Sequence, residues 1–243
     1  AYQNGAFTEE FNGELSNAQI FNTTLIGLGS NSVETLYNNG TPLVDMSGFT
    51  SLKAWWKLDN TVNGVKDSSS NENDGSINGN VAQTTTNVLV SNNGTSTTLP
   101  SSALVRSDLQ FESPYSNFSL DFDGTNDYVD CTDNDMFSFG NGTTDSAFSL
   151  STWINMSTVA DFVPIAKDSS GAREWTIRMV SGQIHFYVID NSVADGYLGR
   201  KNSSTPATDT WFNLICTYDG SASASGIRIY LDGVRVDDAD YIG

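Results

Sequence analysis

The sequence predicts an all-β fold, an antiparallel two-sheet β-sandwich carrying one short helix, and three observations lead there. Charged residues make up only 16% of the 243 residues, against roughly 25% in an average globular chain. Ser, Thr, Asn and Gly supply the remaining polarity, and these residues favour turns and strand surfaces over helix interiors. Short apolar runs recur along the chain with turn residues between them, and a single segment shows helical spacing. A hydrophobic content of 38%, with 11% aromatics, suffices for a true core.

Taken in order, the first regular element is the helix. In Ser32-Val33-Glu34-Thr35-Leu36-Tyr37 the apolar Val33, Leu36 and Tyr37 share one helical face. Ser and Asn stand ready as caps at the start, and Asn38-Asn39-Gly40 is a C-terminal signal, so a helix of about two turns is expected over 32–38. Strand-like runs follow at 53–58, 118–122, 128–131, 148–156, 162–166, 175–180, 184–189, 211–218 and 227–231. Phe118, Leu120 and Phe122 alternate onto one face and, with Trp153, Trp211 and Leu231, are expected in the core. Ser181-Gly182, Asp219-Gly220 and Asp232-Gly233 read as hairpin or turn signals. The stretch 60–102 has few apolar anchors and reads as loops with one or two short strands.

A net charge of −18 argues against direct contact with phosphate backbones and anionic membranes. No apolar run is long enough to cross a bilayer as a helix. Most of the 29 acids are aspartates, which suit turns and, as hard oxygen donors, divalent cations. Cys131 and Cys216 lack metal-clip spacing and both lie in strand-like runs, which favours two free thiols over a bridge. The opening Ala1-Tyr2-Gln3-Asn4-Gly5 is neither an initiator Met nor a leader, so the sequence reads as part of a longer chain.

Several motifs occur in a familiar order. Ala54-Trp55-Trp56-Lys57-Leu58-Asp59 is followed by Asp67-Ser68-Ser69-Ser70-Asn71 through Asp74-Gly75. Then come Ser119-Leu120-Asp121-Phe122-Asp123-Gly124 with Asp127-Tyr128-Val129, and Phe148-Ser149-Leu150-Ser151-Thr152-Trp153-Ile154. The run from Trp211 to Gly220 and Ile229-Tyr230-Leu231-Asp232-Gly233 complete the series. Over residues 52–236 this order resembles the LamG-like jelly rolls of the laminin-G and concanavalin A-like superfamily. The resemblance implies a jelly-roll sandwich, an extracellular, cell-surface or virion-surface setting, and a structural Ca²⁺ near the Asp67 loop.

The N-terminus is out of place in that comparison. Residues 11–21, the helix and Leu36-Tyr37-Asn38-Asn39-Gly40 are similar to the family's last strand and C-terminal helix, yet stand before the domain they should close. The expected organisation is therefore 1–43 as the closing strand and helix, 44–51 as linker, and 52–243 as a jelly roll lacking its own last strand. Three arrangements stay open: a window from a tandem array (the preferred one), a circular permutant, or donation of the first segment to a neighbouring copy.

The candidate chemistry is sparse. The alternating Glu-x-Asp-x-Glu strand of glucan-cleaving relatives is absent, and Asp121-x-Asp123 reads as a solvated pair beside a turn. His185 is the sole histidine and reads as a strand-surface residue. Neither cysteine has a basic neighbour to activate it. Catalysis is not expected. Asp67, Ser69, Asn71, Asn73 and Asp74 place oxygens at nearly every second position, a rhythm that lets a curled loop converge on Ca²⁺. Trp56, Trp153 and Trp211 are read as core; Trp55 and Trp175, with Tyr187 and Tyr197, are read as freer and able to stack on sugar rings. The expected function is a non-enzymatic structural or adhesive repeat of a fibre, surface adhesin or virion-associated protein, with neighbouring copies as partners. A carbohydrate-binding lectin module is the alternative, and a glycan-processing enzyme the third.

Overall fold

The computed structural model describes residues 2–3, 6–7, 11–27, 29–58, 65–85, 118–141, 143–169, 171–190 and 196–242. The strands are β1 (Tyr2–Gln3), β2 (Ala6–Phe7), β3 (Asn12–Phe21), β4 (Leu52–Trp56), β5 (Ser76–Asn78), β6 (Ala82–Thr85), β7 (Phe118–Asp123), β8 (Tyr128–Asp130) and β9 (Phe148–Met156). After them come β10 (Phe162–Ser169), β11 (Ala172–Val180), β12 (Gln183–Asp190), β13 (Gly196–Asn202), β14 (Phe212–Tyr218), β15 (Ile227–Leu231), β16 (Val234–Arg235) and β17 (Asp237–Ile242). The helix α1 spans Val33–Tyr37. Ser32 caps it by accepting a 3.1 Å bond from the Thr35 amide, and Asn38 ends it in the left-handed region at φ 46°.

Two antiparallel sheets face each other. One has the order β10-β11-β12-β13-β17; the other has eight strands, β16-β15-β14-β9-β3-β7-β6 with β4 on β3. The hairpins β11–β12 and β15–β16 turn on Ser181-Gly182 (φ 50° and 81°) and Asp232-Gly233 (φ 50° and 76°). Two successive positive φ angles give the twist-matched turn that these dipeptides signal. Asp219-Gly220 instead opens a longer loop containing a 3₁₀ turn, Ala224–Gly226.

Strand β3 sits in the middle of the larger sheet of its own chain. It pairs with β9 along one side, and with β7 and then β4 along the other. A bulge at Asn17 (φ 49°) marks the change of partner, which is why Leu15 and Ala18 both turn inward although they are three apart in sequence. Gly13 (φ 143°) admits the neighbouring strand, since a Cβ there would lie 2.1 Å from the Asn155 carbonyl oxygen. In this chain, then, residues 12–21 close the sandwich in cis. Ala1 and Gly243 lie outside the described residues.

The larger sheet is covered on both faces. Its inner face meets the five-stranded sheet across the main core, where Leu15, Ile20, Trp56, Leu120, Leu150, Trp175, Phe186 and Leu214 pack. Its outer face carries Phe21, Trp55, Ile215 and Tyr230, covered by Leu25, Val33, Leu36, Met46 and Phe49 of the segment between β3 and β4. The Ser149 hydroxyl pins that belt, donating to the Thr23 carbonyl (2.7 Å) and accepting from the Leu25 amide (2.9 Å). Residues 44–51, expected as a linker, are thus part of a second core, through Met46 and Phe49. Of the expected core residues, Leu120, Phe122, Trp153 and Trp211 are buried and Leu231 is partly buried against the main core. The Phe118 side chain lies outside the described residues. Both cysteines are free thiols, Cys216 buried and Cys131 half-buried.

Candidate functional site

The loop expected to hold Ca²⁺ comes together in one place, built around the Asp67 carboxylate. Asp67 accepts from the Trp55 and Ser69 amides (2.8 Å each), the Ser69 hydroxyl (2.8 Å) and the Asn73 amide (3.0 Å). Asn71 and Asn73 turn their side-chain nitrogens to the Lys53 carbonyl at 3.0 and 3.1 Å. The Asn73 oxygen accepts from Asn134 at 2.7 Å. Asp74 pairs with Lys66 and accepts from the Asp67 amide (3.0 Å), and these two contacts hold its carboxyl below the usual range. The side-chain oxygens of Asp67, Ser69, Asn73 and Asp74 each already face an N–H or O–H. Among the described residues no three acidic, His or Cys side chains gather as a metal group. As they stand, these residues do not fit the cation that the resemblance implies. They form a hydrogen-bonded clasp that docks the loop on the edge of β4.

A well-formed cavity lies elsewhere. A cleft of about 630 Å³ opens where β10 parts from β8 and β3, reaching into the main core. Leu15, Ile20, Trp56, Phe122, Val163 and Trp175 form its apolar walls. Asp127, Asp130, Thr132, Asp133, Lys167 and Asp168 stand among its polar lining. Burial would lower the Lys167 pKa, but hydrogen bonds to Glu174 and Asp133 outweigh it and hold the ammonium above its usual value. Cys131 also lines the cleft, and burial, with Asp130 and Asp67 nearby, pushes its thiol up to about 12. At neutral pH it is a protonated, poor nucleophile. Spacing could not reveal this cleft, because its walls come from five separate stretches of chain.

Residues 123–243 match the family described as the concanavalin A-like lectin/glucanases superfamily. Residues 123–243 match as part of a LamG-like jelly-roll domain. No curated protein matches the sequence. Among solved structures, a likeness was found to a crystal structure of an HCR/D mutant at 11% identity, covering 77% of this chain and 39% of that one, with a TM-score of 0.28. The chain therefore spans well under half the length of that protein.

Across the sandwich the aromatic residues are distributed differently from the sequence expectation. Trp55 and Trp175 are buried at 6% and 3% exposure, not free. Trp55 lies beneath the belt with its indole N–H on the Asn17 oxygen (3.1 Å); Trp175 lies in the main core with its N–H on the Phe137 carbonyl (2.9 Å). Tyr187 and Tyr197 do remain half-exposed on the outer face of the five-stranded sheet, edge to face with centroids 5.4 Å apart. Tyr187 lies over its cross-strand partner Gly199, where an added Cβ would meet the ring at 2.8 Å.

His185 is a second correction. It is 4% exposed, not a surface residue, and its Nδ1 lies 2.6 Å from the Tyr187 hydroxyl. Burial first, then Lys201 and Arg178, lowers its pKa against an opposing pull from Asp161. The fold also creates a carboxylate pair that linear spacing could not show. Glu14 and Asp121 are register partners on β3 and β7. Glu14 accepts from Ser119 and Asn155, both at 3.2 Å. Desolvation, followed by the charge of Glu14 and then of Asp127 and Asp123, raises the Asp121 pKa. Only a known strand register would have exposed this pair.

Proposed function

We propose that this LamG-like domain is a non-catalytic structural or adhesive module of an extracellular or virion-surface protein, joined to neighbouring copies in a longer chain. What carries the reading is the use made of its aspartates. Asp67 clasps the loop on β4, and Asp127 accepts from the Asn80 and Asp123 amides. Asp232 receives the Asn213 amide (2.9 Å) and Asp145 the Tyr218 hydroxyl (2.5 Å). Asp237, its side chain fully buried, holds the Ile229 amide (3.0 Å) and pairs with Arg235 (2.8 Å) and Arg200 (3.1 Å). The acidity noted in the sequence thus serves backbone closure, which suits a module selected for a durable shape. The test is an assay of the purified chain against a panel of soluble polysaccharides, alongside antibody labelling of intact source cells or virions. No turnover with surface labelling is expected. Hydrolysis that disappears in both Glu14→Gln and Asp121→Asn would replace this reading with a glycan-processing enzyme.

A carbohydrate-binding role is the second reading, and the half-exposed Tyr187–Tyr197 pair favours it. Aromatic faces on an open sheet surface suit the apolar faces of sugar rings. Glycan-array binding lost in Tyr197→Ala, with the melting temperature unchanged, would support it.

A further inference from the structure

We propose that the cleft between the two sheets binds an uncharged lipophilic small molecule, of the size of a long-chain alcohol or a few fused rings. The volume of about 630 Å³ falls inside the roughly 300–1,000 Å³ typical of small-molecule sites. The walls are side chains of the main core itself, so the cleft is an entrance to that core. The two indoles facing it have already placed their N–H groups elsewhere, Trp56 on the Asn73 carbonyl (2.7 Å) and Trp175 on the Phe137 carbonyl (2.9 Å). They offer carbon surface to an occupant. Water in such a space would find few partners on the apolar walls, and an empty space would forfeit dispersion contacts along every wall. An apolar body answers both.

The polar lining selects the head group. Asp127, Asp130, Asp133 and Asp168 line the cleft beside one cation, Lys167, among the described lining residues. That cation is already engaged by Asp133 (2.9 Å) and Glu174, while Asp168 is paired with Arg173 (2.9 Å) outside the lining. The local field is negative and repels carboxylates and sulfates. The Thr132 hydroxyl donates to the Cys131 carbonyl (2.7 Å), which leaves its oxygen as an acceptor for a ligand hydroxyl. A neutral alcohol fits this lining and a fatty-acid anion does not.

The inference stands independently of the module reading, since neither polysaccharide turnover nor glycan binding bears on it. The test titrates the full chain with Nile red, an uncharged dye that brightens in apolar surroundings, and then competes with dodecanol or dodecanoate. Saturable binding of one dye per chain is expected, with dodecanol displacing it at least about tenfold more effectively than dodecanoate, a difference of ~1.4 kcal/mol. Ile165→Phe on the edge strand, whose register partner Ile177 faces the core, and Ala18→Leu on β3 both add bulk to the cleft and are expected to weaken dye binding without lowering the melting temperature. A chain with no saturable dye binding overturns the proposal. So does equal competition by the anion, or full binding in either filled variant at native melting temperature. If neither variant folds, the wild-type competition decides alone.

Discussion

Replacing Asp67 by alanine removes the acceptor around which the loop after β4 is organised. Four donors then lose their partner: the amides of Trp55, Ser69 and Asn73 and the Ser69 hydroxyl. Two of the amides belong to buried residues, Trp55 at 6% and Asn73 at 7% exposure. An unsatisfied buried N–H costs about 1–3 kcal/mol, whereas the exposed donors can turn to water at small cost. The sum is about 2–6 kcal/mol, which for a domain of this size lowers the melting temperature by roughly 4–24 °C. Asp67→Asn keeps one acceptor oxygen and is expected to lose about half as much. Thermal unfolding followed by circular dichroism measures both variants, each with added CaCl₂ and with EGTA. The wild-type curve is expected to be the same in the two buffers, because the Asp67 oxygens are already taken by protein donors. A melting temperature that rises with Ca²⁺ in the wild type and loses that response in Asp67→Ala would refute the clasp and restore a cation site.

Three further outcomes follow from the geometry. Leu36→Ala opens a void beneath the belt and is expected to cost about 2–4 kcal/mol, with one unfolding transition by calorimetry if belt and sandwich share their stability. Cys131 and Cys216 are expected to resist iodoacetamide at pH 8 in the folded chain and to react fully in guanidinium, as burial has raised both thiols; rapid labelling of Cys131 under native conditions would contradict its surroundings. For His185, whose folded pKa lies below its unfolded value of about 6.5, both states are neutral above that pH and the group adds no pH dependence. Below it the unfolded chain takes up the proton first, so stability falls as pH drops toward the folded pKa. His185→Gln is expected to flatten that part of the pH–stability curve, and an unchanged slope would show that His185 titrates normally.

The parts of the fold that were legible in the sequence are those in which local pattern and burial agree. β9 and β15 match their expected runs to the residue, because Phe148, Leu150 and Ile154, or Ile227 and Ile229, alternate with residues of another kind. α1 was legible from its caps. β13 was not: Gly-Tyr-Leu-Gly-Arg-Lys-Asn has no alternation and only one strong strand former, Tyr197, and its place comes from pairing with β12. Trp175 carried a usable signal, since Trp175, Ile177 and Met179 alternate with Thr176 and Arg178 and so share the inward face. Trp55 carried none, because its cover comes from the belt, whose path over the sheet leaves no trace in strand periodicity. The Asp67 loop shows the same limit in chemical form. Its spacing of oxygens suits a cation and an Asx-type closure equally well, and only the direction of each donor separates the two. The cleft depends on where two sheets part, which no linear pattern records.

The central position of β3 has a consequence for how the chain reaches this structure. The Thr152 hydroxyl meets the Ser16 carbonyl across 136 residues of sequence, and Asn155 meets Glu14 across 141. A strand made well before β7 and β9 must wait for them before either side of it can be paired along its length. Such separations mark a slow folder, because the entropy of closing large loops comes before the contacts that reward it. While it waits, the apolar Leu15, Ile20 and Phe21 lie on a strand with two open edges, a template for pairing with another chain. Refolding yield is therefore expected to fall steeply with protein concentration, and a synthetic peptide of residues 12–21 added in excess should slow refolding by competing for the slot between β7 and β9.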